Sequence, residues 1–85
     1  MFYVYILNSL KADKHYIGQS KDAEARLRLH NSNQARWTKR FQPWEIVYTE
    51  QFSTRSEAVK RERELKAIRN IKVFLSKKQE EINSW

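Results

Sequence analysis

The chain has 85 residues, 13% of them aromatic, and a formal charge of +7; at this length about 60–65% of the unfolded surface is buried, enough for one small-cored domain spanning 1–85. It has no cysteine, which excludes a disulfide framework and a thiolate zinc site, and no apolar run approaches the roughly 20 residues of a membrane span. Nothing at the N-terminus has the length or cleavage site of a signal peptide, so the expected setting is soluble and cytoplasmic, with no membrane partner.

Phe2 to Leu7 is an unbroken β-branched and aromatic run, which predicts a buried strand. Asn8 to Lys14 is polar turn material, and His15 to Gln19 predicts a second strand, paired with the first as an antiparallel hairpin. Ser20 or Asp22 caps a helix that runs to about His30, ended by Asn31-Ser32-Asn33 because Asn tolerates left-handed backbone at a helix C-terminus. Gln34 to Gln42 is basic and irregular or briefly helical. Pro43 precedes a third strand, Trp44 to Thr49. Thr54 or Ser56 opens a helix to about Ile68, and Ile71 to Ile82 makes another. The order β-β-α-β-α-α predicts an α+β fold: a small three-stranded, mainly antiparallel sheet flanked by helices.

The charge is uneven along this order. Residues 1–44 carry eight Lys/Arg against three Asp/Glu, and 55–78 carry nine against three, while 45–54 and 79–85 each carry two acids and no base. Two basic segments around an acidic strand are the footprint of a polyanion partner. Helical geometry then sorts individual charges. Ala23, Arg26, Leu27 and His30 follow i, i+3, i+4, i+7 spacing and share the face turned to the sheet. Ala58, Glu62 and Leu65 form the inward stripe of the next helix, with Glu64 outward. An inward carboxylate is costly unless paired or bound to a metal, so Glu62 either forms an internal ion pair with Arg26 or serves a site. Alternation along strands puts Tyr3 and Tyr5 on one side of the first, and Tyr16 and Gly18 on one side of the second. If the hairpin aligns them, two phenols, a guanidinium, an imidazole and a carboxylate converge.

These residues resemble the GIY-YIG nuclease superfamily, in particular its small stand-alone members, and the module is similar to that of bacterial excision-repair incision proteins. Tyr3-Val4-Tyr5 stands at the first triplet and Tyr16-Ile17-Gly18 is the second to the letter. Arg26 follows Gly18 by eight residues and His30 lies four further on. Ser56 to Glu62 resembles the segment that leads into the family's metal-binding glutamate.

The resemblance implies an endonuclease that hydrolyses DNA phosphodiesters with one Mg²⁺ or Mn²⁺, in a DNA-repair setting. It gives Tyr5, Tyr16, Arg26, His30 and Glu62 as catalytic residues, with Glu62 as the metal ligand. Tyr16 would act as general base or position the attacking water, with Tyr5 supporting it. Trp37 among Arg36, Lys39 and Arg40 suits stacking on bases and gripping phosphates, and Arg61, Arg63, Arg69 and Lys72 would extend the phosphate track; Trp44 is expected in the core with Trp37 covering it. Specificity would come from branched or nicked DNA structure, or from a protein partner. Three places depart from the family pattern: Tyr3 replaces the first glycine, Gln19 stands where some members carry lysine, and Phe74 falls where many carry asparagine. The alternative is a weakly catalytic or inactive nucleic-acid-binding or adaptor module on the same scaffold.

Overall fold

A strand with apolar side chains on both faces belongs in the middle of a layered structure. In the computed structural model, which describes residues 1–32 and 37–83 (80–83 as backbone only), β1 (Phe2–Ser9) is that strand. Val4, Tyr5, Ile6 and Leu7 are all buried. The hairpin forms as expected: β2 (His15–Ser20) pairs antiparallel to β1, and β3 (Trp44–Phe52) pairs antiparallel on its other side, giving the order β2-β1-β3. Tyr5 faces Gly18 and Leu7 faces Tyr16 across the hairpin.

Alternation along β1 divides the core in two. Tyr5 and Leu7 pack with Trp44, Tyr16, Phe41 and Ile46 beneath Ala23 and Leu27 of α1 (Ala23–His30). Val4 and Ile6 pack with Ala58 and Leu65 of α2 (Arg55–Lys66), and Phe74 and Leu75 of α3 (Ile71–Asn83) join that side. Helices therefore cover both faces of the sheet, which is why the sequence of β1 shows no polar alternation.

The caps resolve what the sequence left open. Asp22, not Ser20, caps α1, its carboxylate accepting the Ala25 N–H at 3.0 Å. Thr54 caps α2 by accepting the Glu57 N–H at 3.2 Å, and Asn70 accepts the Val73 N–H at 3.3 Å where α3 begins. Such caps contribute about 1 kcal/mol each.

The C-terminus of α1 departs from expectation. Asn31 is not left-handed, with φ −92°. Its side chain instead takes the Trp44 N–H at 2.7 Å and donates to the Trp44 carbonyl at 3.0 Å, fastening the helix end to the start of β3. Gln42 adds hydrogen bonds to the His30 and Ser32 carbonyls at 3.0 and 2.7 Å, meeting acceptors that a helix end leaves open. Asn33, also expected to help end α1, lies outside the described residues. Just before Gln42 lies a 3₁₀ turn, Thr38–Phe41.

Candidate active site

The hairpin register sets the site. Because Tyr5 faces Gly18, its ring can cross the place where a neighbouring side chain would stand. A Cβ built on Gly18 would lie 2.6 Å from the Tyr5 hydroxyl oxygen and 3.0 Å from Tyr16 Cε1. Glycine is needed here for space, not for backbone freedom. The Tyr5 and Tyr16 rings lie 6.3 Å apart at 28°, and the His30 ring centres 4.4 Å from Tyr16. The Tyr5 hydroxyl and His30 Nε2 make a long contact of 3.4 Å, while His30 Nδ1 lies 2.9 Å from the Thr38 hydroxyl.

Burial dominates the titration of Tyr5 and His30. It raises the Tyr5 phenol well above its ordinary value, Tyr16 and Glu62 add to the shift, and Arg26 opposes it. Burial lowers His30 below its ordinary 6.5, and the Arg26 charge lowers it further. Near neutrality the site thus presents a protonated phenol and a neutral imidazole.

Arg26 does not point inward as its spacing predicted; it is exposed. A long side chain can leave a helix face and carry its charge to water, yet its field still reaches Tyr5 and His30. Glu62 is half-buried, its side chain 20% exposed, and Lys66 one turn on lies 3.6 Å away. Glu64 is outward, 53% exposed. The anticipated Arg26–Glu62 ion pair does not form among the described residues. The two charges act instead on the same phenol with opposite sign. Glu62 comes from the helix on the far face of the sheet from Tyr5, and its link to the phenol is electrostatic.

A metal ion must be judged on these donors. No cluster of three or more His, Cys, Asp or Glu able to hold a metal occurs among the described residues, which argues against a preformed cage. A single half-buried carboxylate fits Mg²⁺ or Mn²⁺, since Mg²⁺ keeps several waters and takes one or two carboxylates together with substrate phosphate. Gln19 shares the α2-facing side of β2 with Ile17, and its Oε1 is buried without a hydrogen-bond partner among the described residues. It is a further uncommitted oxygen on that side.

Among the described residues, some of the expected phosphate-gripping side chains are exposed and two are engaged in ion pairs. Trp37 is 51% exposed and packs on Phe41 at 5.0 Å, which meets the buried Trp44 edge-on; Trp37 thus covers Trp44 through Phe41. Lys39 and Arg40 are exposed in the same 3₁₀ turn, next to the residue that touches His30. Arg63 and Arg69 are exposed, without an ion-pair partner among the described residues. Arg36 lies outside the described residues. Arg61 is committed to Glu50, its Nε 2.9 and 3.1 Å from the two carboxylate oxygens, and its guanidinium covers Phe74. One residue before Glu62 is about 100° around a helix, and this turns Arg61 toward β3 and α3. Lys72 is held 2.7 Å from Asp13 in the hairpin turn.

Thr38, Asn31 and Gln42 were not singled out from sequence as site-building residues. Nothing in their local pattern marks them, because their partners lie between 8 and 13 residues away.

The class of domain follows from a three-stranded antiparallel sheet between helices, with a tyrosine pair closed over a glycine, taken together with a family match. Residues 1–72 match the family model described as the GIY-YIG catalytic domain, and the chain belongs to that family. It is 46% identical over 65 residues to a UPF0213 protein of Staphylococcus saprophyticus, covering 75% of this chain and 78% of that one. It is 43% identical, with the same coverage, to a UPF0213 protein of Staphylococcus haemolyticus. The solution NMR structure of a UPF0213 protein from Bacillus halodurans superposes with a TM-score of 0.50 at 31% identity, covering 99% of this chain and 84% of that one. The names of these relatives assign no substrate and no metal.

Proposed function

We propose that this protein is a metal-dependent endonuclease that hydrolyses DNA phosphodiester bonds as one domain, 1–85, with Glu62 holding a single Mg²⁺ or Mn²⁺. The observation that carries the reading is the Tyr5–Gly18–Tyr16–His30 cluster, with Arg26 and Glu62 acting on the same phenol. The ion would polarise the scissile phosphate and stabilise the leaving oxygen. Tyr16, at the open side of the cluster, positions the attacking water or takes its proton. Tyr5 keeps its own proton and so supports the site as a hydrogen-bond donor. His30, held neutral by burial, can orient water or accept a proton near neutrality. Arg26 is free to clamp the phosphate as charge builds on it.

Trp37, Lys39 and Arg40 beside His30 supply a stacking surface and cations for the flanking nucleotides. Arg63 and Arg69 add phosphate contacts that carry no base information. This favours a loose preference for nicked or branched DNA, with further specificity from a protein partner, in a cytoplasmic repair setting. Among the described residues no helix is long and apolar enough to cross a membrane.

A second reading is supported by Gln19 and Phe74. The first puts a neutral amide where some family members carry lysine, and the second packs edge-on against Tyr48 instead of offering an amide. A weakly catalytic binding or adaptor module would account for both. Incubation of supercoiled and branched DNA with Mn²⁺ separates the readings. The nuclease nicks, and both Glu62→Ala and Tyr16→Phe lose about 10²-fold or more in rate. Binding without nicking by the wild type would favour the adaptor. Nicking that survives both substitutions would remove the catalytic assignment.

A further inference from the structure

His30 meets a hydroxyl at each ring nitrogen, a long contact to Tyr5 at Nε2 and a short one to Thr38 at Nδ1. Thr38 is only 5% exposed. Its hydroxyl sits 2.9 Å from His30 Nδ1, and its carbonyl accepts the indole N–H of buried Trp44 at 2.7 Å. The Trp44 backbone is in turn pinned on both its N–H and its carbonyl by Asn31, the residue after His30. The bonds close a ring: His30 to Thr38, Thr38 to Trp44, Trp44 to Asn31, and back along the chain to His30. A histidine held at one nitrogen can still swing about χ2, whereas one held at both has a fixed plane.

The arrangement also selects a tautomer. A neutral imidazole carries one ring proton, and its site follows from what the other nitrogen meets. With the Tyr5 hydroxyl donating toward Nε2, the imidazole proton would reside on Nδ1 and the Thr38 hydroxyl would receive it. We propose that Thr38 is a positioning residue for the phosphodiester hydrolysis assigned above, fixing the plane and tautomer of His30 so that its Nε2 lone pair faces Tyr5 and the substrate side. The proposal rests on the nuclease reading. It places a function in the 3₁₀ turn that otherwise presents only Trp37, Lys39 and Arg40 to solvent.

Thr38→Val keeps the shape and removes the hydroxyl; Thr38→Ser keeps the hydroxyl. The backbone carbonyl that holds Trp44 is present in both. Turnover on nicked or branched DNA, read together with the ¹⁵N shifts of the His30 ring, tests the idea. Thr38→Val should lower kcat roughly tenfold at unchanged KM, and the His30 nitrogens should move from an Nδ1-protonated pattern to mixed tautomers. Thr38→Ser should stay within about twofold of wild type with the native nitrogen pattern. An unchanged kcat in Thr38→Val, or His30 shifts identical to wild type, overturns the proposal. Should valine prevent folding, Thr38→Ala makes the same comparison. If wild type cleaves nothing, the nuclease reading falls alone, and the ring shifts still decide whether Thr38 sets the tautomer.

Discussion

The two faces of one three-stranded sheet are built on different principles. On the α2 side, Val4, Ile6, Ala58 and Leu65 are fully buried and apolar. The main polar element there is a closed lock in which the Tyr48 hydroxyl donates to Glu50 at 2.6 Å and Arg61 grips the same carboxylate. Burial, followed by the Glu50 carboxylate, pushes the Tyr48 phenol up to about 12, so the lock stays satisfied across the physiological range. On the α1 side buried Leu7 is joined by Tyr5, His30, Thr38 and Trp44, which are linked by hydrogen bonds and open to solvent at Tyr16 and Arg26. One face is mainly apolar packing and the other carries the polar groups of the candidate site. β1 serves both because successive side chains point opposite ways. Glu62 is the exception that joins them, a polar residue on the structural side whose field reaches the phenol on the other.

Substitutions can break this division or sharpen it. The largest expected effect is on the structural face. Leu65→Ala leaves a cavity beneath α2 and should cost about 2–5 kcal/mol, seen as a lowered urea midpoint. Cleavage by the fraction that remains folded should keep its rate per folded molecule. A loss of rate beyond the unfolded fraction would mean that the faces are not separable.

Gly18→Ala acts on the α1 face, on its packing and on the candidate site at once. The added methyl would stand 2.6 Å from the Tyr5 oxygen and 2.8 Å from Cζ, so the buried ring must move. We expect about 1–3 kcal/mol of destabilisation and a disproportionate fall in cleavage. A variant with native melting and native rate would show that the Tyr5–Gly18 approach is unimportant.

The smallest effect is the pH dependence of the reactive face. Burial, followed by Arg26, lowers the His30 pKa in the folded state, so around and below 6.5 the unfolded chain binds more protons than the folded one. Stability from this group is full above about 6.5 and is lost as pH falls through that value toward the folded pKa. His15 is shifted down in the same direction, chiefly by burial, and must be controlled for. Melting temperature should therefore drop less between pH 7.5 and 5.5 in His30→Gln than in wild type, measured in a His15→Gln background. An equal drop in both would contradict a neutral, buried His30.

How much of this was readable beforehand follows the same division. Alternation put Tyr5 on one side of the first strand and Tyr16 with Gly18 on one side of the second, and the stripe of α2 turned Glu62 inward with Ala58 and Leu65, because short-range periodicity decides which way a side chain leaves its backbone. The register that sets Tyr5 against Gly18 came from the fold. Periodicity does not decide where a long side chain ends. Arg26 shares a stripe with His30 yet reaches solvent, and Arg61 and Lys72 look like free cations in the sequence but find Glu50 and Asp13 in the fold. Thr38 was hidden for another reason. A hydroxyl in a basic, irregular stretch has no local signature, and its meaning arises only when the 3₁₀ turn is folded against α1. The same holds for Asn31, expected to end its helix through backbone geometry and found to end it by binding Trp44.

The central claim is that Glu62 and the tyrosine pair belong to one ion-binding site across the sheet. Titration of ¹⁵N-labelled protein with Mn²⁺ tests it most directly, since paramagnetic broadening reports distance from the ion without requiring cleavage. The account predicts early broadening of the Tyr5, Tyr16 and Gly18 amides together with those around Glu62, abolished in Glu62→Gln. Broadening centred elsewhere, on Asp13 for example, or unchanged in Glu62→Gln, would contradict it.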